Sequence, residues 1–540
     1  MILMVASVDN PFMIKIKVFL LSFLSGGLLS LPWLFPNFGW LLFFALVPLF
    51  LADNLLRKQN DLKNNQFFYS AFIAFLIWNL GSTWWIAHVS FTGMLVIVGL
   101  NSLMMASVWW VGNRVNRQFG ELSGLFALLV FWLTFEFLQH NWTLQWPWLT
   151  LGNGLANSVK IIQWYEFTGI LGGSLWILIS NVLVFLVVKQ LLEKRFFNAA
   201  KFAFYTLLLV GIPGCLSLSI YSKSVEKGSI LEMIVLQPNI DPYTEKFSGM
   251  NEQDQVKKLV SMAGSLVSES TDLIVAPETA FPPMWEDSIH IQNQTIHSFA
   301  EIIRKYPKLS VIGGSITQRK SALDEPVSET ASRTTDGRFW YDTFNSALLF
   351  DRTEIIQIGH KRILVSGVEK MPFQKYFSFL KKFVVDIGGT SGSLASAAEA
   401  TVFKTETGII IGSVICFESA FGEHCGDLVK KGAGLLIVIT NDGWWRESPG
   451  SWQHFGYSRI RAIETRRFVA RSANTGISGF INQRGDVLKK TELNTCEALS
   501  APIRLNDEIT FYVQNGDFIG WVCSLLSVLI LIYFLVKRLT

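Results

Sequence analysis

Gly412-Ser-Val-Ile-Cys-Phe-Glu418 closes an apolar run that begins at Gly408, and it leaves a cysteine, Cys416, at the end of a strand. The run is short, rich in β-branched residues and opened by glycine, which is the pattern of a buried strand rather than of a helix. Two other reactive side chains follow short apolar runs in the same manner: Glu278 in Val275-Ala-Pro-Glu-Thr279 and Lys361 in Gly359-His-Lys-Arg362. A thiol, a carboxylate and a cation at the ends of strands predict nucleophilic acyl transfer.

Outward from Cys416 the same texture continues. Apolar runs at Ile230–Leu236, Leu273–Ala276, Ser310–Ile316, Ser346–Phe350, Leu435–Thr440, Phe468–Ser472 and Gly476–Ile481 alternate with amphipathic stretches at Gln253–Ser268, Ile291–Lys305 and Gln453–Arg466. Strands bounded by Gly, Asn and Asp and separated by helices predict an α/β domain whose sheet is covered by helices. This domain is expected to occupy residues 223–517.

Its flanks read differently. Half of all residues are hydrophobic and only 16% are charged, a balance rare in a uniformly soluble chain. A bilayer core takes about 20 apolar helical residues. Seven such runs precede Lys223, at 13–33, 39–56, 67–87, 91–112, 122–139, 161–188 and 203–221, and an eighth spans Ile519–Val536. The first has Lys15 and Lys17 ahead of it but no small-residue cleavage site after it, so it is expected to stay as a helix. The division is therefore residues 1–222 as a seven-helix membrane domain, 223–517 as the α/β domain, and 518–540 as a last transmembrane helix.

Basic residues set the orientation, because cytoplasmic loops accumulate Lys and Arg. Lys15 and Lys17, then Arg57, Lys58 and Lys63, Arg114 and Arg117, Lys189 to Lys201, and Lys537 with Arg538 fall on one side, whereas the Pro32–Gly39 and His88–Phe91 connections carry none. Both termini are then cytoplasmic and the α/β domain is exported. The net charge of +4 belongs to this pattern and not to a clustered basic face, which argues against nucleic acid. Of the five cysteines, Cys215 and Cys523 lie in or beside spans and Cys416, Cys425 and Cys496 lie outside. That leaves either a reactive thiol at Cys416 or a Cys416–Cys425 bridge that would abolish it. No metal-ligand spacing and no phosphate loop is present, so neither metal nor cofactor is expected.

Attack on a carbonyl needs more than a thiol, whose ordinary pKa of ~8.5 leaves little thiolate at neutral pH. Glu278 can take the proton, and Lys361 can face the developing oxyanion beside the backbone N–H of Phe417. Each residue also has a bland reading: a buried cysteine, a solvated turn glutamate, half of a surface ion pair. The chain order Glu, Lys, Cys resembles the nitrilase superfamily, whose members use that triad. Further segments narrow the resemblance: Leu236-Gln-Pro-Asn-Ile240, Thr440-Asn-Asp-Gly-Trp-Trp445, Gln453-His454, Arg461-Ala-Ile-Glu464, Arg471-Ser-Ala-Asn-Thr-Gly-Ile-Ser478 and Asn482-Gln-Arg-Gly485. With several N-terminal spans and one C-terminal span, the chain resembles the apolipoprotein N-acyltransferase family over essentially its whole length.

That resemblance implies an α-β-β-α sandwich, with Glu278 as general base, Lys361 as oxyanion stabiliser and Cys416 as nucleophile. It implies supporting roles for Glu418, Glu369 and the Phe417 amide, and substrate contacts from Trp148, Phe247, Trp444 and Trp445. It implies a phospholipid acyl donor, a diacylated apolipoprotein acceptor, a monomer, and a place in the inner membrane with the catalytic domain on the periplasmic side. The family usually reads Leu-Val-Pro-Phe-Gly-Glu where this chain has Leu364-Val-Ser-Gly-Val-Glu369, which leaves the path of that loop open. Phe247 stands near a position often held by Trp.

Glu136, inside the fifth run, is open to a functional reading or to hydrogen bonding between helices. Asn141-Trp-Thr-Leu-Gln-Trp-Pro-Trp148 reads as an interfacial aromatic belt, and with the resemblance as an acyl-chain contact. Two rivals stand beside the transferase. A membrane-tethered amidase would need neither eight spans nor lipid-facing loops such as Phe281-Pro-Pro-Met-Trp285. A non-catalytic protein on a degenerate enzyme domain would have no need of all three reactive residues.

Overall fold

The computed structural model describes residues 11–59, 65–247, 249–288, 294–321, 327–353, 355–370 and 394–539. Lys63 and the start of the 291–305 stretch lie outside the described residues. The chain divides into two units, one of Met1–Trp142, Trp146–Lys223 and Asp517–Thr540, the other of Thr143–Gln145 and Ser224–Gly516.

In the first unit, eight helical segments among the described residues are long and apolar enough to cross a membrane: Phe12–Leu34, Pro36–Arg57, Asn65–His88, Phe91–Phe119, Glu121–Asn141, Tyr165–Leu192, Phe196–Lys223 and Phe518–Lys537. Each overlaps one of the eight apolar runs. Helix is the local solution because lipid offers the backbone no hydrogen-bond partners. The few polar side chains inside pair with each other for the same reason. Ser22 and Ser70 hydroxyls meet at 2.8 Å, Asn101 Nδ2 donates to Asn79 Oδ1 at 2.7 Å, and Asp53 Oδ2 accepts from Trp109 Nε1 and Asn113 Nδ2, each at 2.8 Å.

Glu136 has a comparable task. Its Oε1 accepts from Trp132 Nε1 at 3.0 Å and from the backbone N–H of Leu151 at 2.8 Å, so it holds the short 3-10 segment Leu151–Leu155 against the helix that carries it. Trp148 sits in the preceding turn, Pro147–Leu149, and is 1% exposed. Its ring packs on Trp85 at 5.2 Å and stacks on Trp146 at 5.9 Å. Trp148, expected to meet substrate, is thus packed among indoles in this unit.

The second unit is built on strands β1 (Ile230–Gln237), β2 (Thr271–Val275), β3 (Phe281–Trp285), β4 (Ser310–Lys320), β5 (Ser332–Arg333), β6 (Trp340–Phe350), β7 (Gln357–His360), β8 (Val402–Lys404), β9 (Ile410–Ile415), β10 (Leu435–Thr440), β11 (Val469–Ala473), β12 (Gly479–Ile481), β13 (Val487–Lys490) and β14 (Glu497–Arg504). One sheet runs β14-β1-β2-β4-β6-β5, with β3 on β4 and β7 on β6; the other runs β13-β12-β11-β10-β9-β8.

Alternation along the strands makes the layers. Leu231, Met233 and Val235 of β1 and Leu435, Ile437 and Ile439 of β10 share one core with Val275, Ile312, Leu349, Ile411 and Ile415. The intervening residues point the other way. Ile234 and Leu236 pack with Leu259, Phe299 and Ile303 of helices Glu252–Gly264 and Gln294–Lys305, and Leu436 and Val438 pack with Leu428, Phe455 and Ala462 of helices Gly422–Lys430 and Pro449–Thr465. Strands apolar on both faces are those covered on both faces. The result is helix, sheet, sheet, helix, a nitrilase-like α-β-β-α sandwich.

One segment departs from the sequence reading. Phe281–Trp285 is not a lipid-facing loop but strand β3, parallel to β4, with Phe281 buried between Phe299 and Phe350. Its two prolines are unusual in a strand, yet an edge strand tolerates them because it has N–H groups that need no ladder partner.

Glu278 lies on the turn between β2 and β3, and Gly314 of β4 lets that turn come close. Gly314 N donates to Pro277 O at 3.0 Å, and a Cβ at Gly314 would fall 2.5 Å from Thr279 N and 2.7 Å from Glu278 Cα. Gly314→Ala is therefore expected to cost ~1–3 kcal/mol of stability through overpacking against backbone. Thermal unfolding in detergent should show a midpoint several degrees lower. Gly264→Ala, whose Cβ would meet nothing nearer than 4.0 Å, should leave the midpoint unchanged or raised.

Candidate active site

Cys416 ends β9 and opens a 3-10 turn, Cys416–Ala420. Its φ of 52° lies in the left-handed region, a conformation that costs a non-glycine residue about 1–3 kcal/mol and persists only where its surroundings impose it. The imposing contacts are visible. The Cys416 carbonyl accepts from the Ser419 hydroxyl at 2.9 Å and lies 3.0 Å from His454 Nε2. All five cysteines are free, and Cys425 is fully buried on the helix that follows, in the core layer beneath it. The open Cys416–Cys425 bridge is thus not formed.

Glu418, two residues on, is 2% exposed and works on backbone. Its Oε2 accepts from Ile415 N at 2.8 Å, and its Oε1 from Arg362 N at 2.7 Å and Ile363 N at 3.1 Å. One carboxylate therefore ties the segment after Lys361 to the strand that ends in Cys416. Burial opposes its charge, but His424 beside it and the donated N–H groups prevail and hold the carboxyl below the usual range.

Lys361, 1% exposed, follows the edge strand β7. Its Nζ lies 2.8 Å from Glu369 Oε1 and 3.4 Å from Glu278 Oε1. Asn345 Nδ2 bridges the same two oxygens, donating to Glu278 at 2.8 Å and to Glu369 at 2.9 Å. The second oxygens are used as well: Asn441 N donates to Glu278 Oε2 at 3.0 Å and Val365 N to Glu369 Oε2 at 2.8 Å. The unusual Ser366-Gly367-Val368 sequence still brings Glu369 to Lys361, with Gly367 at a φ of 85° in the turn. Neither the solvated-turn reading of Glu278 nor the surface-pair reading of Lys361 fits a carboxylate and an ammonium this deeply enclosed.

Burial works against the charge of Lys361, but the carboxylates of Glu369 and Glu278 outweigh it and keep the ammonium above the ordinary lysine range. The Cys416 thiol shifts the other way: low-polarity surroundings and the negative Glu278 push it up, more than Lys361 and the Thr440 hydroxyl pull it down. The resting site is then a neutral thiol beside the Glu278 carboxyl group and the fixed Lys361 cation. Such a thiol reacts only if its proton leaves during attack, and the carboxylate is the group able to receive it.

Around this cluster stand residues whose part the sequence did not disclose. Asn345 lies in the middle of β6, between Phe344 and Ser346, with nothing in the local sequence to single it out. Lys246 donates from Nζ to the Glu278 carbonyl at 3.1 Å, and burial lowers it to about 8. Beside it Phe247 stacks on Trp444 at 5.8 Å and 15°, and Trp445 meets the His454 ring edge-on at 5.3 Å. Phe247 and Trp444 thus form one aromatic pair and Trp445 a separate contact with His454, all in the catalytic unit, whereas Trp148 belongs to the other unit. The Phe417 side chain packs on Phe421 at 5.1 Å.

Comparison with known proteins identifies the family of the chain. Residues 235–511 match the carbon-nitrogen hydrolase family and residues 25–183 the apolipoprotein N-acyltransferase N-terminal domain. A protein of Chlorobaculum tepidum named apolipoprotein N-acyltransferase is 31% identical over 97% of this chain and 97% of its own length. One of the same name from Geobacter metallireducens is 27% identical over 94% of this chain and 93% of its own. Among solved structures, Saccharomyces cerevisiae Nit3, described as a member of branch 10 of the nitrilase superfamily, is 14% identical with a TM-score of 0.36, over 54% of this chain and 94% of that one.

Glu418 offers a test of how the site is held. Glu418→Gln places an amide against three backbone donors, where each charge-assisted hydrogen bond contributes ~1.5–3 kcal/mol. The expected outcome is a thermal midpoint several degrees lower, together with a reaction at Cys416 slowed at least tenfold at temperatures where the variant is folded.

Proposed function

The chain belongs to the apolipoprotein N-acyltransferase family, and we propose that Cys416 takes an acyl chain from a phospholipid and passes it to the N-terminal amine of a diacylglyceryl-cysteine lipoprotein, the final step of lipoprotein maturation. The carrying observation is the enclosed Glu278–Lys361–Glu369 cluster beside Cys416. In the first half-reaction the Cys416 S–H proton passes to Glu278 as sulfur attacks the sn-1 ester carbonyl. Lys361 and the Phe417 N–H face the oxyanion; its collapse breaks the ester C–O bond, and the lysophospholipid leaves as an alcohol with the proton from Glu278. In the second, the lipoprotein amine attacks the thioester carbonyl, Glu278 takes a proton from nitrogen, the C–S bond breaks, and the thiol recovers its proton.

Two membrane-anchored substrates favour a catalyst in the same layer, since confinement reduces the orientational search. The basic-loop alternation supports an inner-membrane placement with the catalytic unit on the periplasmic side. The division into residues 1–222, 223–517 and 518–540 is supported by units that part near Lys223 and Gly516. A single chain carries every proposed site residue, which supports a monomer. Phe247, Trp444 and Trp445 are proposed to meet the lipid substrates, with Glu369 and Glu418 in support of the triad.

Incubation with phospholipid alone should add one acyl mass to the intact protein, removable by neutral hydroxylamine, and Cys416→Ala should gain none. Lys361→Met should acylate ~10²–10³-fold more slowly, the loss typical of one oxyanion donor. A diacylated lipopeptide should then discharge the thioester to a triacylated product. Rapid discharge by water without that product would instead make the protein a hydrolase.

A further inference from the structure

Behind the nucleophile lies a buried polar chain that the proposed reaction does not use. His454, 0% exposed, sits on helix Pro449–Thr465 with Nε2 at 3.0 Å from the Cys416 carbonyl and 2.7 Å from the Ser419 hydroxyl. Its Nδ1 lies 2.9 Å from Arg471 Nη2 and 3.0 Å from Asp442 Oδ1. Arg471 Nη2 also donates to Asp442 Oδ2 at 2.6 Å, and the Thr440 hydroxyl donates to Asp442 Oδ1 at 2.8 Å. Four buried groups thus converge on one imidazole.

The contacts select a tautomer. A carbonyl can only accept and a guanidinium can only donate, so the Cys416 contact asks for a proton on Nε2 and the Arg471 contact for a lone pair on Nδ1. Only the Asp442 contact asks for the reverse, and that carboxylate already has Thr440 and Arg471 as donors. Burial first, and the Arg471 guanidinium second, keep His454 below the ordinary imidazole range, in accord with a neutral ring protonated at Nε2.

We propose that His454 is a positioning residue: its Nε2–H, with the Ser419 hydroxyl, fixes the carbonyl of Cys416 and so orients the nucleophile and the Phe417 N–H. The reason is covalent. The peptide between Cys416 and Phe417 is planar and trans, so its C=O and N–H point in opposite directions. Two donors gripping the oxygen on one side set where the N–H points on the other, and they hold Cys416 in its left-handed conformation. This inference rests on the acyl-transfer reading of Cys416.

The test compares His454→Phe, which keeps a ring but removes the donor, with His454→Gln, which returns an N–H near the position of Nε2. Single-turnover acylation of Cys416 by phospholipid is followed by intact mass across donor concentrations. His454→Phe should lower the maximal acylation rate about tenfold to a hundredfold, as loss of near-attack geometry does, with half-saturating phospholipid unchanged. His454→Gln should recover at least half of that loss on a logarithmic scale. Wild-type acylation in His454→Phe, or a His454→Gln as slow as His454→Phe, would overturn the inference. If His454→Phe does not fold, Ser419→Ala decides: a rate at least threefold lower is expected, and an unchanged rate overturns the proposal. Failure of the wild-type protein to acylate would instead overturn the reading of Cys416 on which it rests.

Discussion

A lysine ammonium enclosed between two carboxylates is the constraint around which the catalytic unit is arranged. Lys361 is 1% exposed, and its charge is tolerable there only because Glu369 and Glu278 stand at 2.8 and 3.4 Å. Breaking such a cluster by removing one partner typically costs ~3–5 kcal/mol, since the charge that stays behind is uncompensated. The carboxylates outnumber the ammonium, and their remaining lone pairs are satisfied by Asn345 and by the backbone of Val365 and Asn441. Strands β6 and β7, the loop to Glu369, the Glu278 turn and the end of β10 must therefore all arrive together. Gly314 and Glu418 make that convergence possible, the first by letting the turn approach and the second by binding the Lys361 segment to the Cys416 strand.

The same cluster shapes the chemistry. A negative carboxylate beside a thiol in low-polarity surroundings keeps the thiol neutral at rest, and the lysine that would favour thiolate is largely committed to its own partners. A neutral nucleophile is less exposed to oxidation, since the thiolate is the oxidisable form. Reactivity then awaits an ester positioned so that the proton can move to Glu278 as the bond forms. Such gating would suit the proposed reaction, in which the acyl donor is a membrane lipid and an acyl thioester must outlast the arrival of a second lipid-anchored substrate.

Much of this was legible in the sequence, for identifiable reasons. The eight long apolar helices show because their apolar runs are long and uninterrupted. The central strands β1, β2, β4, β9 and β10 show because both of their faces are covered, and the three reactive residues show because each follows such a run. Edges were harder: Glu497–Arg504 and Val487–Lys490 are half exposed and carry charges, and Phe281–Trp285 hides one buried ring between prolines. Convergence was harder still. Asn345 lies 67 residues from the glutamate it contacts, and His454 reaches the Cys416 carbonyl across 38 residues; no local pattern announces either. The packing of Trp148 on Trp85 and Trp146 was equally hidden, since an aromatic-rich stretch reads alike whether its rings face lipid or one another.

The role of Glu278 as the acceptor of the thiol proton is the centre of this account, and the pH dependence of thioester formation tests it most directly. Single-turnover acylation by phospholipid should vary little between pH 7 and 9 in the wild-type protein, because the base is internal. In Glu278→Gln it should be far slower at pH 7 and rise by close to tenfold per pH unit, as solvent hydroxide must then supply the thiolate. Parallel pH profiles for the two proteins, differing only in amplitude, would show that Glu278 does not take the proton and would contradict the account.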